Sequence, residues 1–415
     1  MAHSDKIILN LSALDYSGAG KFAVDFSRLL QKNGLQSYLV VKDSKVGGDG
    51  IIVYNDSVFD NALGKFQRKS FKKKLTDDHF AYDYYFYNKY ETLSVVSAQK
   101  ILTLIPKKPD VIFIHWVTDF INAKVIQELH RLTKAKIYWL VIDNAPLTGG
   151  CHYPWTCDGF TRSCSSCPAI RADEYKWIAE KNLSFKKKYL PDDLCLITFS
   201  QSDFVRAKQS SLFRDKHVLK LAGFVDEEKF TVGDKAAARR YFNVPADKPV
   251  LFFGASSLKE KRKGMQLLLD ALTTNPADEF TLLIAGEFPT KGLKGNVRNL
   301  GYLNEDELVI AYQAATVFIC PSVEDSGPMM INQSLMCGTP VVAFDTGVAQ
   351  DLVIFEQTGY RAKLADAQDL AKGIAHVVNR DVSSQVALQN RCRNMALQAY
   401  GRVAFTNKLM DLVTA

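Results

Sequence analysis

Short runs of apolar, often β-branched residues alternate along the chain with stretches whose apolar positions recur at helical spacing. Strand-like runs fall at residues 6–12, 37–42, 110–114, 136–142 and 194–200 in the first half. In the second half they fall at 250–255, 280–285, 297–301, 316–320 and 341–344. Helical patterns fit between them, among others at 21–33, 201–212, 264–271, 306–315 and 328–337. This alternation predicts an α/β chain with parallel sheets covered on both faces, whose strands read as continuous apolar runs because neither face meets water. The rhythm breaks across residues 235–249, where a polar and charged stretch leads into two prolines, Pro245 and Pro249, that stop a helix. Two doubly wound, Rossmann-like domains facing across a cleft are therefore expected, over residues 1–232 and 233–395. A terminal helix over 396–415 is expected to cross back to the first domain. Ligand crevices in such folds open at the carboxyl ends of the strands.

At 415 residues the chain exceeds what one core fills, in agreement with that division. No apolar run approaches the roughly 18 residues of a spanning helix, and the first strand begins too early to leave room for a secretory leader. The expectation is a cytoplasmic protein. The balance of 52 Lys+Arg against 45 Asp+Glu gives +7, too modest for bulk nucleic-acid binding. The distribution of charge is more telling. Residues 65–74 hold six basic residues with Phe66 and Phe71 between them. An aromatic run follows, with Phe80, Tyr82, Tyr84, Tyr85, Phe86, Tyr87 and Tyr90, and a second basic cluster is Lys186, Lys187 and Lys188. Basic residues interleaved with aromatics suit an anionic membrane surface, so that the protein would be peripheral on the cytoplasmic face; a solvated helix face is the alternative.

Two local features carry candidate chemistry. The turn after the first strand holds Gly18, Ala19 and Gly20, whose backbone N–H groups could approach a phosphate at a helix start. Ordinary tight turns use glycine in the same way. Of the eight cysteines, Cys151, Cys157, Cys164 and Cys167 crowd into seventeen residues and end in a C-x-x-C pair. In a reducing compartment four thiolates suit a closed, structural zinc site. A reducible disulfide pair and unligated thiols are the other readings. Cys195, Cys320, Cys337 and Cys392 stand in apolar context as buried hydrophobes.

The most specific pattern is the strand 316–320, the loop Pro321-Ser-Val-Glu-Asp-Ser-Gly-Pro328, the helix from Met329 and the segment Cys337-Gly-Thr-Pro-Val-Val342. This stretch resembles the nucleotide-sugar-binding core of the family 4 retaining glycosyltransferases, which have the two-domain GT-B fold. In that family two glutamates separated by seven residues contact the donor sugar and the ribose; here those positions are Asp325 and Gln333. The resemblance extends to the strand from Leu251 and the turn Lys263-Gly264, where an Arg/Lys pair grips the diphosphate. Lys263 matches the lysine, the arginine position is Ala255, and Lys259, Lys261 or Arg262 would replace the missing charge. Tyr302 and Leu303 match the backbone that meets the base. The resemblance thus implies donor binding by Gly18, Ala19, Gly20, Arg262, Lys263, Tyr302, Leu303, Asp325, Ser326, Gly327, Pro328, Met329 and Gln333.

In the first half, His115-Trp116 and the run from Thr148 through Cys151, His152 and Cys167 resemble a bacterial subgroup that builds capsule and exopolysaccharide. A histidine precedes the aspartate matching Asp143 in that subgroup, whereas Ile142 stands here, and His115 or His152 would replace it. His115, Trp116, Thr148 and His152 are the expected acceptor contacts, and Asp325, Lys263, His115 and Asp143 the expected catalytic groups. The implied activity is retaining transfer of a sugar from a UDP- or GDP-linked donor to a lipid-linked saccharide, without catalytic metal. A non-catalytic nucleotide-sugar-binding or scaffold protein is the rival reading, motivated by Ile142, Ala255 and Gln333.

Overall fold

A computed structural model describes residues 6–55, 75–89, 91–255, 260–273, 280–286, 296–327 and 329–414. The basic stretch 65–74, Tyr90, Lys259 and Pro328 lie outside the described residues. By packing, the chain divides into two units. The first comprises the chain to Thr198 with Asp203–Lys220 and the residues from Val413; the second comprises Phe199–Ser202 and Leu221–Leu412. The division falls at Leu221 rather than at 233, because Val225 and Phe230 enter the second core.

The first unit is built on one parallel sheet in the order β3-β2-β1-β4-β5-β6-β7. Its strands are β1 (Ile7–Leu14), β2 (Gln36–Asp43), β3 (Ile51–Val53), β4 (Val111–Ile114), β5 (Lys136–Leu140), β6 (Cys195–Thr198) and β7 (Val218–Lys220). The helices are α1 (Ser17–Lys32), α2 (Ala98–Thr103), α3 (Ala123–Thr133), α4 (Trp177–Tyr189) and α5 (Gln201–Gln209). Every residue of β4 and β6 is buried, as strands covered on both faces must be. Helix α1 lays Ala23, Val24, Phe26, Leu29 and Leu30 on the sheet at helical spacing.

The second sheet, also parallel throughout, runs β10-β9-β8-β11-β12-β13. Its strands are β8 (Val250–Gly254), β9 (Thr281–Ala285), β10 (Asn296–Gly301), β11 (Val317–Cys320), β12 (Val341–Phe344) and β13 (Gly359–Ala362). Its helices are α6 (Lys235–Tyr241), α7 (Met265–Leu272), α8 (Glu305–Ala314), α9 (Met329–Met336), α10 (Ala349–Leu352), α11 (Ala367–Val378), α12 (Val382–Tyr400) and α13 (Arg402–Thr414). Helix α8 starts on a capping box, Asn304 receiving the N–H of Glu307 while the Glu307 carboxylate receives that of Asn304. The terminal helix predicted from 396 is instead two helices that meet at Gly401, so position 396 falls inside α12. The last turn of α13 is grouped with the first unit, where Lys6 Nζ donates to the Val413 carbonyl at 2.7 Å.

Each strand expected from the apolar pattern is present. The added ones, β3, β7 and β13, are short and lie at sheet edges, where half-exposed positions blur the apolar run. In each sheet the strand order reverses once near the middle, between β1 and β4 and between β8 and β11. Loops leaving the carboxyl ends of such a strand pair diverge and leave a crevice, which is where ligands settle in open α/β sheets.

Candidate functional site

In the second unit that crevice is formed by the loops after β8 and β11. Ahead of α7 stands a single 3-10 turn, Lys261–Lys263, capped by Gly264 at φ 67°. A Cβ on Gly264 would stand 1.8 Å from the Pro321 carbonyl oxygen, so only glycine lets the two loops meet there. The Val323 N–H donates to the Arg262 carbonyl at 2.8 Å and joins them further. From the third side, Gly347 at φ 53° brings the loop after β12 so close that its Cβ would fall 2.6 Å from the Asp325 carbonyl.

The side chains brought together are those the sequence singled out. Lys263 Nζ donates to Asp325 Oδ2 at 2.6 Å, and Arg262 Nη1 donates to the same oxygen at 3.1 Å. The other arm of Arg262 meets Glu260 at 2.6 Å. Asp325 and Arg262 are buried. Burial alone would raise the Asp325 carboxyl, but the charges of Lys263 and Arg262, the Lys263 hydrogen bond and the Gly327 N–H outweigh it and hold it below the ordinary carboxylate value. Of the cations considered in place of Ala255, Arg262 stands beside Asp325, while Lys259 lies outside the described residues; the contact of Arg262 with Glu260 was not anticipated. Ser326 is buried, Tyr302 is 83% exposed just after β10, and Leu303 is buried. Gln333, on α9, accepts a hydrogen bond from the Tyr312 hydroxyl at 3.1 Å. Met329 lies against Gly223, where a Cβ would come within 3.2 Å of its sulfur.

In the first unit the strand-order reversal lies between β1 and β4. Gly18, Ala19 and Gly20 do not form a turn ahead of the helix; they are its first turn, because α1 begins at Ser17. Gly20 is needed where it stands, since a Cβ would come 2.8 Å from the Leu14 carbonyl, whereas Gly18 faces open space. His115 and Trp116 follow β4 but have separate fates. His115 turns into the core, its Nε2 3.1 Å from Asn10 Oδ1, against the rings of Phe22 and Phe26. Burial drops its pKa to about 3, so the ring stays neutral. Trp116 Nε1 instead donates to Asp143 Oδ2 at 2.8 Å, and the same oxygen receives His152 Nδ1 at 2.7 Å. Of the two candidate histidines, His152 is the one joined to Asp143.

That pair is the head of a buried polar chain. His152 Nε2 lies 2.9 Å from Asn88 Oδ1, Asn88 Nδ2 donates to Glu91 Oε2 at 2.8 Å, and Lys186 stands 4.0 Å from Glu91. Lys186 is buried and donates to the carbonyls of Ala145 and Thr148 at 2.7 and 3.0 Å. It therefore does not belong to a surface cluster with Lys187 and Lys188, which are exposed. Burial would raise the Asp143 carboxyl, but the charge and hydrogen bond of His152, the Ala145 N–H and Trp116 keep it below its ordinary value. Thr148 donates to the Cys151 carbonyl at 2.6 Å and so shapes the same loop. Asn88 and Glu91 carried no local sequence signal, and Lys186 read as part of a basic cluster, because these residues are separated along the chain from the groups they serve.

Cys151, Cys157, Cys164 and Cys167 line one cavity together with Tyr84, Phe86 and Phe160. All four are free thiols. Backbone N–H groups approach three of them, from Gly159 to Cys157 at 3.4 Å, from Gly149 to Cys164, and from Ala169 and Ile170 to Cys167. Burial nevertheless pushes Cys164 up to about 11 and Cys167 up to about 12. Among the described residues no group of three or more His, Cys, Asp or Glu side chains stands arranged to hold a metal ion. The expected zinc cluster is thus gathered round one cavity but is not drawn together as a ligand set. Among the described residues no helix is long and apolar enough to cross a membrane.

Comparison with known proteins places the sequence match in the second unit. Residues 234–399, all within the second unit, match the family described as glycosyl transferases group 1. A D-inositol 3-phosphate glycosyltransferase of Saccharomonospora viridis is 31% identical over 207 residues, covering 45% of this chain and 48% of the relative. The phosphatidyl-myo-inositol mannosyltransferase of Mycobacterium leprae is 30% identical over 145 residues, 32% of this chain and 38% of its own. The lipopolysaccharide core biosynthesis glycosyltransferase LpsE of Rhizobium meliloti is 26% identical over 188 residues, 43% of this chain and 54% of its own. The chain thus spans about half, or less, of the length of these relatives. Among solved structures, sucrose-phosphate synthase of Thermosynechococcus elongatus aligns with a TM-score of 0.66 at 16% identity, covering 98% of both chains. Anabaena Alr3699/HepE in complex with UDP and glucose aligns with a TM-score of 0.66 at 15% identity over 99% of both. At such identities these likenesses carry the fold, two doubly wound Rossmann-like units of the GT-B kind.

Proposed function

We propose that this chain, whose second unit carries the group 1 glycosyl transferase match, is a retaining glycosyltransferase that moves a sugar from a nucleoside-diphosphate donor to a hydroxyl of a lipid-linked saccharide in polysaccharide biosynthesis. One observation supports this above others: Lys263, Arg262 and Asp325 meet at the point where the strand order of the second sheet reverses. Two fixed cations there can stabilise the charge that develops on a leaving diphosphate, the largest electrostatic term in such a transfer. Asp325 holds both cations in place and offers a carboxylate to a sugar hydroxyl. The UDP and glucose named with Anabaena HepE, and the core-polysaccharide role named for LpsE, point in the same direction.

In the first unit, Asp143 and His152 form the polar group best suited to an acceptor hydroxyl, steadied by Trp116 and Asn88. For an acceptor in a membrane, α4 offers a docking face: Trp177, Lys181, Lys187 and Lys188 are exposed on it, with Lys181 Nζ 5.3 Å from the Trp177 ring. Glu180 is exposed beside them and reduces the positive charge of that face. The direct test supplies the full-length protein with labelled UDP-, GDP- and dTDP-sugars and lipid-linked saccharide acceptors. Transfer from one donor supports the reading. Saturable binding without turnover on any acceptor favours the non-catalytic alternative that Ala255 and Gln333 motivate.

A further inference from the structure

The cavity that Cys151, Cys157, Cys164 and Cys167 share is suited to sulfur that carries charge. Apart from the thiols, Tyr84 and Thr148, its described lining side chains are apolar, with no carboxylate or imidazole among them. Thiols that served only as small hydrophobes would fit such a lining. They would not require backbone N–H groups to face them. Yet the Gly159 N–H points to Cys157 Sγ at 3.4 Å, and the Ala169 and Ile170 N–H groups act on Cys167. In both turns a donor lies two residues after the sulfur it meets. A neutral thiol is a weak acceptor, and such donors matter chiefly to a thiolate held by a metal. A Cβ on Gly159 would stand 3.4 Å from Cys157 Sγ and 4.0 Å from Cys164 Sγ, so these two sulfurs flank one residue. Cys164 itself holds a left-handed φ of 57°, a strained choice for a residue with a Cβ.

We propose that these four cysteines bind one zinc ion, and that the ion fixes the loop from which His152 reaches Asp143. Four sulfur donors suit zinc rather than calcium or magnesium, which take oxygen ligands. Among the described residues the thiols are not arranged as a ligand set, so the ion draws the sulfurs toward the cavity they line. Each S–H bond gives its proton to water and each sulfur shares an electron pair with zinc; no oxidation state changes. Four thiolates outweigh the charge of the ion and leave the site negative. The buried Lys186 ammonium is near enough for its charge to act on Cys164.

The link to Asp143 is the chain itself, because Cys151 and His152 are consecutive. The His152 N–H faces the Tyr84 and Tyr85 carbonyls at 3.1 and 3.2 Å, and the His152 carbonyl receives the Asn144 N–H at 3.0 Å. Its ring meets Asp143 at 2.7 Å. Just before them the loop has no slack: a Cβ on Gly149 would fall 2.2 Å from the Ala179 carbonyl oxygen, and one on Gly150 2.6 Å from the Phe86 ring. An anchored Cys151 sulfur therefore sets where His152 starts. Neither half of the proposal depends on the nucleotide-sugar reading.

Elemental analysis of the full-length protein, purified without chelator or a metal-binding tag, is expected to find about one zinc per chain. Cys164→Ser should lose it, whereas Cys195→Ser, outside the cavity, should keep it. If Cys164→Ser does not fold, a mercurial titrated against wild type gives the same answer by releasing zinc as it consumes the thiols. After zinc is removed by a chelator under reducing conditions, the His152 ring signals in proton NMR should shift, and added zinc should restore them; their loss in His152→Gln identifies them. Zinc-free protein that takes up none when zinc is added overturns the site. So does iron in place of zinc, zinc retained by Cys164→Ser, or zinc that no mercurial releases. Unchanged His152 signals after zinc removal overturn the coupling to Asp143.

Discussion

The ammonium of Lys263 stands 2.6 Å from Oδ2 of Asp325, the oxygen that also receives Arg262. Both ends of that arrangement are largely withdrawn from water, so its members depend on one another. Asp325→Asn leaves the Arg262 guanidinium buried with Glu260 as its remaining carboxylate in this group, and should cost on the order of 3 kcal/mol of stability in urea denaturation. Lys263→Met removes the more accessible cation and leaves the Arg262–Asp325 pair in place. It should cost clearly less stability while weakening nucleotide binding at least about tenfold.

Two buried carboxylates make a signed prediction about acid. Asp325 and Asp143 are both held below the ordinary value of 3.8 in the folded protein. An unfolded chain takes up their protons first, so the stability they contribute is fully present above that value and is lost as pH falls below it. The urea midpoint should decline below that point, and Asp325→Asn should flatten part of the decline.

His115 acts over a different range. Its folded pKa of about 3 lies below the ordinary 6.5, so the unfolded state again binds the proton first. Stability should therefore begin to fall as pH drops through 6.5 and continue toward 3. His115→Gln should remove this early part of the fall, and the His115 ring should not titrate above pH 5 in proton NMR.

Gly264 joins the two loops of the candidate site at a positive φ, with no room for a side chain against Pro321. Gly264→Ala should cost at least about 2 kcal/mol. It should also displace the turn that carries Arg262 and Lys263, with loss of nucleotide binding beyond what lower stability explains. A variant of wild-type stability that binds nucleotide normally would show that the turn does not set the site.

The strands were legible because parallel sheets covered on both faces leave long apolar runs, and the loop with Asp325 was legible because its residues are contiguous. What escaped was whatever depended on distance along the chain. Lys186 reads as one of three surface lysines until the fold buries it under the carbonyls of Ala145 and Thr148. His115 and His152 look alike in sequence, yet one faces Asn10 in the core and the other faces Asp143. Gly18 and Gly20 read as a loop because glycine is a poor helix former, but the helix starts before them and Gly20 is there for its contact with the end of β1. The cysteine spacing suggests a zinc site; the four thiols line one cavity without being arranged as a ligand set, because spacing alone does not set sulfur-to-sulfur distances.

Hydrogen–deuterium exchange of the full-length protein with saturating UDP, GDP or dTDP asks most directly where an activated sugar's diphosphate would sit. With at least one of the three, exchange should slow in residues 260–264 and 321–327, and Lys263→Ala should abolish that protection. Unchanged exchange in both loops with all three nucleotides would contradict the account.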